Sequence, residues 1–410
     1  MTEKKNHVWH PYTKFSAGTL TNIVRAEGSF LYDDQGNRYI DAVSSWWCVN
    51  LGHSHPAIID AIQKQTSILQ HSILGNLTHP NAQELASRLA HLLPSPDRHV
   101  HFASDGSSAN EAALKIAIQY FHNRGEPERD SFLSLTEPYH GDTLGAVSVG
   151  YMESFHRPFK RLVFPTVSVD PVANDLEEAI KQNANRLAGV ILEPLCQGAA
   201  GIRMYAPSTL KAAADTCRIH DIPLIIDEIA MGFGRTGKMF AFQHADIDPD
   251  IVTIGKGISN GTLPISATIV RDSIYDTFSD EPVDHTFYHG HTFAGNPIAS
   301  AAALATLDIY RDENIITKGE SIRHRLKHLS SDLAQHHRVK NMRTLGMIAA
   351  FDVASPEEAQ TIRHAMKTEG ILIRPLGNVL YVMPPLNIST DLLEEIFAKY
   401  HQVLDQTAVR

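Results

Sequence analysis

Short apolar runs that end abruptly in polar residues alternate with amphipathic segments along much of the chain. Two of these runs, residues 224–226 and 251–254, consist mainly of β-branched residues, and they stop at Asp227-Glu228 and Gly255-Lys256. Such runs are typical of buried strands in a parallel sheet. Between residues 99 and 226, strand-like and helix-like segments follow each other in strict alternation. The pattern predicts an α/β fold with a mainly parallel central sheet.

The predicted elements cover most of the chain. Strands are predicted at residues 99–104, 131–135, 188–192, 224–226, 251–254 and 265–270. Helices are predicted at residues 56–70, 81–93, 108–121, 210–220 and 298–310, with another inside 170–188. The helices at 56–70 and 81–93 have their apolar residues at helical spacing, and Pro94 stops the second.

The two ends of the chain have a different pattern. Residues 26–40 alternate around a D-x-G turn, which predicts a β-hairpin. Residues 312–410 predict a helix, a strand at 347–353, a helix, strands at 371–374 and 380–383, and a final helix. We therefore expect a large domain of residues 45–311 and a smaller α+β domain built from residues 1–44 and 312–410.

The first candidate site lies at two strand ends. In open α/β sheets, ligands bind beyond the carboxyl ends of the strands, so Asp227 and Lys256 are expected to face one site. Pyridoxal phosphate needs an amine to form a Schiff base and a carboxylate to keep its ring nitrogen protonated. Glycines on both sides of Lys256 would let a planar ring approach the backbone. Lysines that follow a strand are more often solvated, however, so this pair alone leaves both interpretations open.

A second candidate site follows the strand at 99–104. The sequence Asp105-Gly-Ser-Ser-Ala-Asn-Glu111 opens a predicted helix, and the free N–H groups of a helix N-terminus favour an anion such as phosphate. A plain serine N-cap fits the same residues. Tyr139 ends the next strand, where its ring could stack on a cofactor.

Two other patterns indicate different chemistry. Residues 232–237 match G-x-G-x-x-G, but a dinucleotide site needs a helix directly after it, and Asp246, Asp248 and Pro249 interrupt the next segment. The 23 histidines include three pairs spaced by two, yet none lies in a recognised metal-ligand pattern. No metal site is predicted.

Composition narrows the class of protein. Hydrophobic residues make up 43% of the 410 residues and charged residues 20%, as in soluble globular proteins. A net charge of −10 argues against nucleic acid as a main partner. No apolar run approaches the ~18 residues of a membrane span. The three cysteines lack C-x-x-C spacing, which fits a reducing compartment. We expect a cytoplasmic protein with neither a nucleic-acid nor a membrane partner.

Aromatic residues near the N-terminus need a partner surface. Residues 7–13 carry Trp9 and Tyr12 beside Pro11, which disfavours a regular helix. We expect this segment to pack into a groove or a subunit interface. Trp46 and Trp47 cannot face the same side of an extended chain, so one is expected in the core and the other in a pocket.

Taken together, these motifs identify a family resemblance. The chain resembles the fold-type I, class III pyridoxal phosphate aminotransferases from about residue 7 to 386. The resemblance is carried by D-G-S-x-A-N-E at 105–111, Y-H-G at 139–141, E-P at 193–194, DEIAMGFGRTG at 227–237, Lys256 and TFAGNP at 292–297. Within the family it is similar to the branch that acts in biotin synthesis, through WHPYT at 9–13, SSWW at 44–47, I-R-P at 373–375 and YVMPP at 381–385.

The resemblance implies a cofactor, pyridoxal 5'-phosphate, and a role for each matching residue. Lys256 would form the Schiff base and carry the proton shift, and Asp227 would pair with the ring nitrogen. Gly106 and Ser107 would hold the phosphate, and Tyr139 would stack on the ring. Thr292 would reach the phosphate of the partner subunit in a homodimer.

The resemblance also implies a substrate pocket and a reaction. The implied substrate-binding residues are Tyr12, which also counts as catalytic, Trp46, Tyr139, Arg235 near the pocket mouth, Gly290, and Arg374 for the substrate carboxylate. The implied reaction transfers the amino group of S-adenosylmethionine to 8-amino-7-oxononanoate, giving 7,8-diaminononanoate.

One departure from the wider family bears on the substrate. Relatives that act on ornithine or 4-aminobutyrate carry a glutamate in Q-x-E-G-G, where this chain has Ala199. This weakens a general ω-aminotransferase activity without excluding it. Some relatives use lysine as the amino donor, and His291 beside Thr292 leaves the choice of donor open.

Overall fold

A seven-stranded sheet forms the centre of the protein, in a computed structural model that describes residues 7–14, 20–279 and 283–406. In spatial order its strands are Arg98–Ala103, Ser266–Arg271, Ile251–Ile254, Leu224–Asp227, Leu187–Leu192, Ser131–Leu135 and Thr166–Val169. Six strands run in one direction, and Ser266–Arg271 runs against its two neighbours. The predicted α/β fold with a mainly parallel sheet is confirmed.

The central strands are buried on both faces. Every residue of Leu187–Leu192, Leu224–Asp227 and Ile251–Ile254 is buried. Alternate side chains point to opposite faces, so Ile225 joins one hydrophobic cluster while Leu224 and Ile226 join another. This two-sided burial explains why these strands appear in the sequence as continuous apolar runs.

Helices surround the central sheet and fill the C-terminal region. The α-helices of more than one turn are Pro56–Thr66, Pro80–His91, Gly106–Asn123, Leu144–Val149, Ala173–Asn183, Pro207–Ile219, Pro297–Asp312, Glu320–Leu333, Pro356–Thr368 and Thr390–Gln406. Single turns form at Glu153–His156, Asp272–Tyr275 and Ile315–Lys318, and 3-10 turns at Arg157–Phe159, Ala241–Ala245 and Lys256–Ser259. The predicted helices are confirmed to within a few residues at their ends.

After the G-x-G-x-x-G match only the short turn Ala241–Ala245 forms, so the dinucleotide interpretation lacks its helix.

Three smaller sheets complete the fold. Ile23–Glu27, Phe30–Asp33, Arg38–Asp41 and Ile371–Leu372 form one; Lys340–Leu345, Ile348–Asp352 and Val379–Val382 form the second; Cys196–Gln197 and Arg203–Met204 form the third. The predicted hairpin at 26–40 is present, and Ile371 pairs with Ile40 in parallel. Strand pairing therefore joins the two ends of the chain, while the exact domain bounds stay a prediction.

Two searches of the described residues gave negative results. No helix among them is both long and apolar enough to cross a membrane. No cluster of three or more histidine, cysteine or acidic side chains within residues 7–14, 20–279 and 283–406 has the geometry to hold a metal ion. The cytoplasmic location stays a prediction.

The turn at Gly346, between the strands Lys340–Leu345 and Ile348–Asp352, packs closely against Thr236 in a loop of the large sheet. A substitution at this turn tests that packing. Gly346 and Gly377 have nearly equal φ angles, +58° and +59°. A Cβ at Gly346 would lie 2.3 Å from the carbonyl carbon of Thr236, whereas a Cβ at Gly377 would meet nothing within 4 Å. We expect Gly377→Ala to destabilise by about 1–2 kcal/mol and Gly346→Ala by roughly 3 kcal/mol or more, as measured by urea unfolding. Equal losses would contradict the close packing at residue 346.

Candidate active site

Asp227 and Lys256 lie at the ends of adjacent parallel strands, as predicted. Asp227 is the last residue of its strand and pairs in register with Thr253. Lys256 follows the neighbouring strand and begins a 3-10 turn, with a φ of +41° that is unusual for a residue with a side chain. The next residue, Gly257, was expected to make room for a planar ring. In the structure a Cβ at residue 257 would lie 2.6 Å from Asn50 Nδ2, so close packing against Asn50 requires the glycine.

The Asp227 carboxylate is buried and surrounded by donors. Its Oδ2 accepts hydrogen bonds from Asn110 Nδ2 and His140 Nδ1, both at 2.8 Å, and its Oδ1 accepts from Ile229 N at 3.1 Å. Thr253 Oγ1 donates to Asn110 Oδ1 at 2.7 Å and so fixes the orientation of that amide. The network holds a negatively charged group in one position at the edge of the sheet.

Asn110 and His140 were not assigned a role from sequence. Asn110 lies one helical turn after Gly106 and therefore on the same face of the helix as the predicted phosphate site. His140 directly follows Tyr139, the predicted stacking residue. The i, i+4 spacing was the signal that could have identified Asn110, whereas the contact of His140 with Asp227 joins residues 87 positions apart.

The N-terminus of the helix Gly106–Asn123 lies against the loop that follows Asp227. Asp105 caps the helix by accepting from Ser108 N and Ser108 Oγ, both at 2.9 Å, so the serine N-cap interpretation is wrong. The first-turn N–H groups at Gly106 and Ser107 have no partner within the helix. A Cβ at Gly106 would lie 2.9 Å from Ile229 Cγ2, so the loop after Asp227 packs against this helix end.

Two tyrosines and an aspartate form a hydrogen-bonded cluster beside the helix end. The hydroxyls of Tyr12 and Tyr139 are 3.2 Å apart, and both donate to Asp142 Oδ2, the second at 3.0 Å. Asp142 N donates to Ser107 Oγ at 3.1 Å, which joins the cluster to the helix. Burial and the hydrogen bond to Asp142 raise the pKa of Tyr12 to about 12, and burial also raises the pKa of Tyr139. Both hydroxyls therefore remain donors at neutral pH. Asp142 had not been predicted.

The N-terminal segment makes aromatic contacts through Tyr12. Tyr12 makes edge-on contacts with Trp46 and Phe155, at ring-centroid distances of 5.5 and 6.0 Å. Trp9, by contrast, is 88% exposed in the single chain. Tyr12 is itself 49% exposed, so the packing of this segment into a groove or a subunit interface stays a prediction.

Residues Ser44–Trp47 form a left-handed turn rather than an extended segment. Their φ angles are +47°, +44°, +68° and +70°, and none is a glycine. Left-handed conformations of such residues cost of order 1–3 kcal/mol each and persist only where the surroundings enforce them. The turn separates the tryptophans as predicted: Trp47 is buried, and Trp46 is exposed on the Tyr12 side.

Each tryptophan contacts one cationic side chain. Lys256 Nζ lies 5.0 Å from the Trp47 ring centroid. The Arg374 guanidinium lies 3.7 Å from the Trp46 ring centroid, at cation–π distance. Trp47 Nε1 donates to Tyr381 OH at 3.3 Å, which fixes the buried ring. The predicted pocket residues Tyr12, Trp46 and Arg374 therefore form one continuous group.

Arg235 is enclosed in the structure, so its predicted location at the pocket mouth was wrong, while its role in substrate binding stays a prediction. Its side chain is fully buried, with Nη1 donating to Pro384 O and Nη2 to Asn50 Oδ1, both at 2.6 Å. Nη2 also reaches Ser44 Oγ at 3.4 Å. Burial lowers the pKa of the guanidinium to about 10, still well above neutral. The loop after Asp227 folds beneath the left-handed turn and encloses this side chain, which sequence similarity alone could not indicate.

Gly290 and Thr292 lie apart from the other predicted site residues. Both are exposed. Around them, the backbone O of His289 is 3.1 Å from His101 Nε2, and the side chain of Gln119 donates to His285 O at 3.0 Å. The segment that contains them thus packs on the edge strand Arg98–Ala103 and on the C-terminal half of the helix Gly106–Asn123. A role in the site of a partner subunit stays a prediction.

A buried acid connects the Tyr139 loop with the loop that carries Ala199. Glu193 accepts from Tyr139 N at 3.1 Å and from Gly198 N at 2.9 Å. Burial raises its pKa to about 7. On the other side, Arg343 donates to Ile202 O at 2.8 Å. The loop that bears a glutamate in ornithine-type relatives is thus fixed between the large sheet and the C-terminal strands, with the small side chain of Ala199 in that position.

The comparisons with known proteins agree with this geometry. The class III aminotransferase family model matches residues 12–404. The chain belongs to the class III aminotransferases. An adenosylmethionine-8-amino-7-oxononanoate aminotransferase from Synechococcus elongatus is 40% identical, covering 98% of this chain and 99% of its own.

Solved structures of aminotransferases share the fold. The adenosylmethionine-8-amino-7-oxononanoate aminotransferase of Methanocaldococcus jannaschii superposes with a TM-score of 0.95 at 34% identity, over 98% of both chains. A pyridoxal-phosphate-bound amine transaminase from an uncultivated Pseudomonas species gives a TM-score of 0.93 at 30% identity, over 98% of this chain and 99% of its own. The predicted fold-type I architecture and family are confirmed.

The residues of this aminotransferase fit the family's cofactor, pyridoxal phosphate. Lys256 supplies an amine, and Asp227 supplies a carboxylate whose position three donors fix. The helix N-terminus at Gly106 and Ser107 offers unpaired N–H groups to a phosphate. A Cβ at residue 106 would clash with Ile229, so the glycine lets the loop after Asp227 pack closely against this helix end.

The neighbour of Asp227 gives the aminotransferase a pH-dependent stability. Glu228 is fully buried, its Oε1 accepts from Phe242 N at 2.8 Å, and its Oε2 has no hydrogen-bond partner in the part of the chain that the structure describes. Burial raises its pKa from 4.5 to about 8. Above pH 4.5 the unfolded chain releases this proton while the folded chain keeps it, so stability falls as pH rises to about 8.

We therefore expect Glu228→Gln to be increasingly more stable than the wild type from pH 5 to pH 8. The difference should grow by up to about 1.4 kcal/mol per pH unit, because the amide does not titrate. Urea unfolding of both proteins at several pH values measures it. The same substitution at exposed Glu395 is the control and should give no trend. A difference for Glu228→Gln that is constant with pH would contradict the buried, protonated acid.

Proposed function

We propose that this aminotransferase transfers the amino group of S-adenosylmethionine to 8-amino-7-oxononanoate, giving 7,8-diaminononanoate in biotin synthesis. The observation that carries the proposal is the group formed by Tyr12, Trp46 and Arg374, with the Arg374 guanidinium 3.7 Å from the Trp46 ring. It offers an apolar wall next to a fixed cation. The names of the relatives from Synechococcus elongatus and Methanocaldococcus jannaschii support the same substrates.

The acceptor substrate has the chemistry that this wall suits. It carries a carboxylate at the end of an alkyl chain, and each methylene removed from water contributes about 0.8 kcal/mol. A guanidinium can bind a carboxylate with two parallel hydrogen bonds, which an ammonium cannot do. Stacking on Trp46 restrains the plane of the Arg374 fork before the substrate arrives.

The cofactor would be held by residues from several elements. In the proposed arrangement Lys256 binds it covalently, Asp227 pairs with the ring nitrogen, Tyr139 stacks on the ring, and the phosphate is held by Gly106, Ser107 and the partner subunit's Thr292. When bound, pyridoxal phosphate withdraws electrons from the reacting carbon of the substrate.

Side chains of this protein would transfer and hold the protons of the reaction. Lys256 Nζ, freed when a substrate amine replaces it, would remove the proton from the substrate carbon and carry it in a 1,3-proton shift. The Asp227 carboxylate would keep the proton on the ring nitrogen. The Tyr12 and Tyr139 hydroxyls, fixed by their hydrogen bonds to Asp142, would orient the substrate next to the Trp46 wall.

The proposal includes a homodimer with shared active sites. Tyr288 and Phe293, which flank Gly290 and Thr292, are 79% and 65% exposed in the single chain. Large apolar side chains in one exposed segment are typical of a subunit interface. In the dimer, Gly290 would line the substrate pocket of the partner subunit.

Two alternatives remain for the substrates. Lysine could replace S-adenosylmethionine as donor while the acceptor stays the same. The chain could instead be another ω-aminotransferase, as the fold shared with the Pseudomonas amine transaminase allows. The small Ala199 on its fixed loop disfavours ornithine-type substrates.

The deciding experiment is a half-reaction on purified, cofactor-loaded protein. S-adenosylmethionine or lysine is added without acceptor, and the visible band of the bound cofactor is followed. We expect S-adenosylmethionine alone to bleach the band, and 8-amino-7-oxononanoate to restore it. Bleaching by lysine alone would identify lysine as the amino donor. Bleaching by neither compound would reject the proposal. Lys256→Ala is the control and should show no bleaching.

The carboxylate role of Arg374 makes a separate prediction. Arg374→Lys keeps the charge but loses the planar fork, so the KM for 8-amino-7-oxononanoate should rise roughly tenfold or more. Steady-state kinetics with the acceptor varied measures this change. Arg311→Lys, at an exposed position, is the matched control. An unchanged KM in Arg374→Lys would remove Arg374 from the binding site.

A further inference from the structure

The left-handed turn Ser44–Trp47 is the most constrained segment next to the substrate wall. Four successive residues with side chains have positive φ angles. Glycine adopts this conformation freely, but none of the four is glycine. Something outside the turn must therefore hold it, and without that support the turn would relax and carry Trp46 away from Arg374.

A buried carboxylate holds the turn from one side. Asp41, only 1% exposed, accepts from Ser45 Oγ at 2.7 Å and from Val43 N at 3.3 Å. The same Oδ2 that binds Ser45 accepts from His53 Nε2 at 2.9 Å. Because a carboxylate only accepts hydrogen bonds, His53 is the donor in this pair.

The C-terminal part of the chain holds the turn from the other side. Ser44 Oγ donates to Met383 O at 2.7 Å, and Met383 N donates to Ala42 O at 2.8 Å. This second contact explains why the backbone cannot simply shift as a whole. Both attachments directly precede Trp46, so the conformation of Ser45 affects the direction of the Trp46 side chain.

We propose that Asp41, His53 and Ser45 form a positioning unit that enforces the left-handed turn and thereby sets the substrate-facing direction of Trp46. His53 orients the Asp41 carboxylate, the carboxylate holds the Ser45 hydroxyl, and Ser45 fixes the turn. The unit touches neither cofactor nor substrate, and it acts through Trp46. Its effect on substrate affinity rests on the proposed function, but its effect on Trp46 does not.

The charge state of Asp41 agrees with this role. Burial alone would raise the pKa of its carboxyl, but hydrogen bonds from His53 and Ser45 outweigh burial and lower the pKa below its ordinary value. The acceptor is therefore a carboxylate at neutral pH, and a charged acceptor forms stronger hydrogen bonds than a neutral one.

A neighbouring aspartate provides the matched control. Asp33, also buried, accepts from the Tyr39 hydroxyl and from Asn37 N, at 2.9 and 2.8 Å, in the preceding hairpin turn. It supports the same small sheet but makes no contact with Ser44–Trp47. If Asp41 served only the stability of the hairpin, Asp33→Asn and Asp41→Asn would have the same consequences.

The first measurement follows Trp46 directly by acrylamide quenching of tryptophan fluorescence in the cofactor-loaded protein. A Trp9→Phe background removes the exposed tryptophan and leaves Trp46 together with the buried Trp47. In Asp41→Asn three donors share one amide oxygen, so the turn should relax and the quenching constant should change about twofold. Asp33→Asn should leave the constant unchanged.

The second measurement is the half-reaction titrated with S-adenosylmethionine. Asp41→Asn should weaken the apparent Kd about tenfold while the visible band of the resting protein is unchanged. Adding Ser45→Gly to Asp41→Asn should recover about fivefold of the lost affinity and restore the quenching constant, because glycine takes a positive φ without strain. Ser45→Ala in the same background should recover neither.

The outcomes separate the possibilities. An unchanged quenching constant in Asp41→Asn, an equal change in Asp33→Asn, or a failure of Ser45→Gly to restore it would each overturn the positioning unit. If wild-type protein shows no half-reaction with S-adenosylmethionine, the proposed function fails, and the quenching series still tests the unit. A changed quenching constant with unchanged affinity would show that the turn sets Trp46 but not substrate binding, which overturns the second half of the inference.

Discussion

The register between two neighbouring parallel strands is the constraint on which the site depends. Asp227 pairs with Thr253, and Lys256 follows three residues later on the same strand and turn. A slip of one residue would move every side chain of a strand to the opposite face. It would take Asp227 away from Asn110 and His140 and break the network that Thr253 completes. Burial on both faces makes such a slip costly, so the core fixes the chemistry at its edge.

Several residues of the site have strained backbone conformations. Tyr12, Lys256 and the turn Ser44–Trp47 all have positive φ angles, although none of them contains glycine. Such conformations persist only where the surrounding structure over-determines them, and they are found preferentially at functional sites. Here the surroundings include the fully buried Arg235, which joins Asn50 and Pro384 beneath the turn. Arg235 therefore supports the turn from below, and its role in substrate binding stays a prediction.

Sequence patterns predicted the parts of the fold that depend on local periodicity. The buried strands at 131–135 and 251–254 have the predicted bounds, because continuous apolar runs leave few alternatives. The strand Lys340–Leu345 was missed because its residues are polar and only partly buried, without a clear alternation. The left-handed turn could not be predicted, because Ser44 is held by Met383, 339 residues away. Family motifs identified which residues cluster, but not that Arg235 is enclosed.

The proposed cofactor-binding residues and the proposed substrate-binding residues come from different parts of the chain. The residues proposed to hold the cofactor, such as Asp227 and Lys256, come from the large sheet and its helix. Tyr12, Trp46 and Arg374 come from the two ends of the chain, which the parallel pairing of Ile371–Leu372 with Arg38–Asp41 brings together. The substrate wall can therefore change by repacking the small sheets while the register of the central strands stays intact. This separation would allow aminotransferases of one fold to differ around the substrate, and the strained turn Ser44–Trp47 is the segment that connects the hairpin to the large sheet.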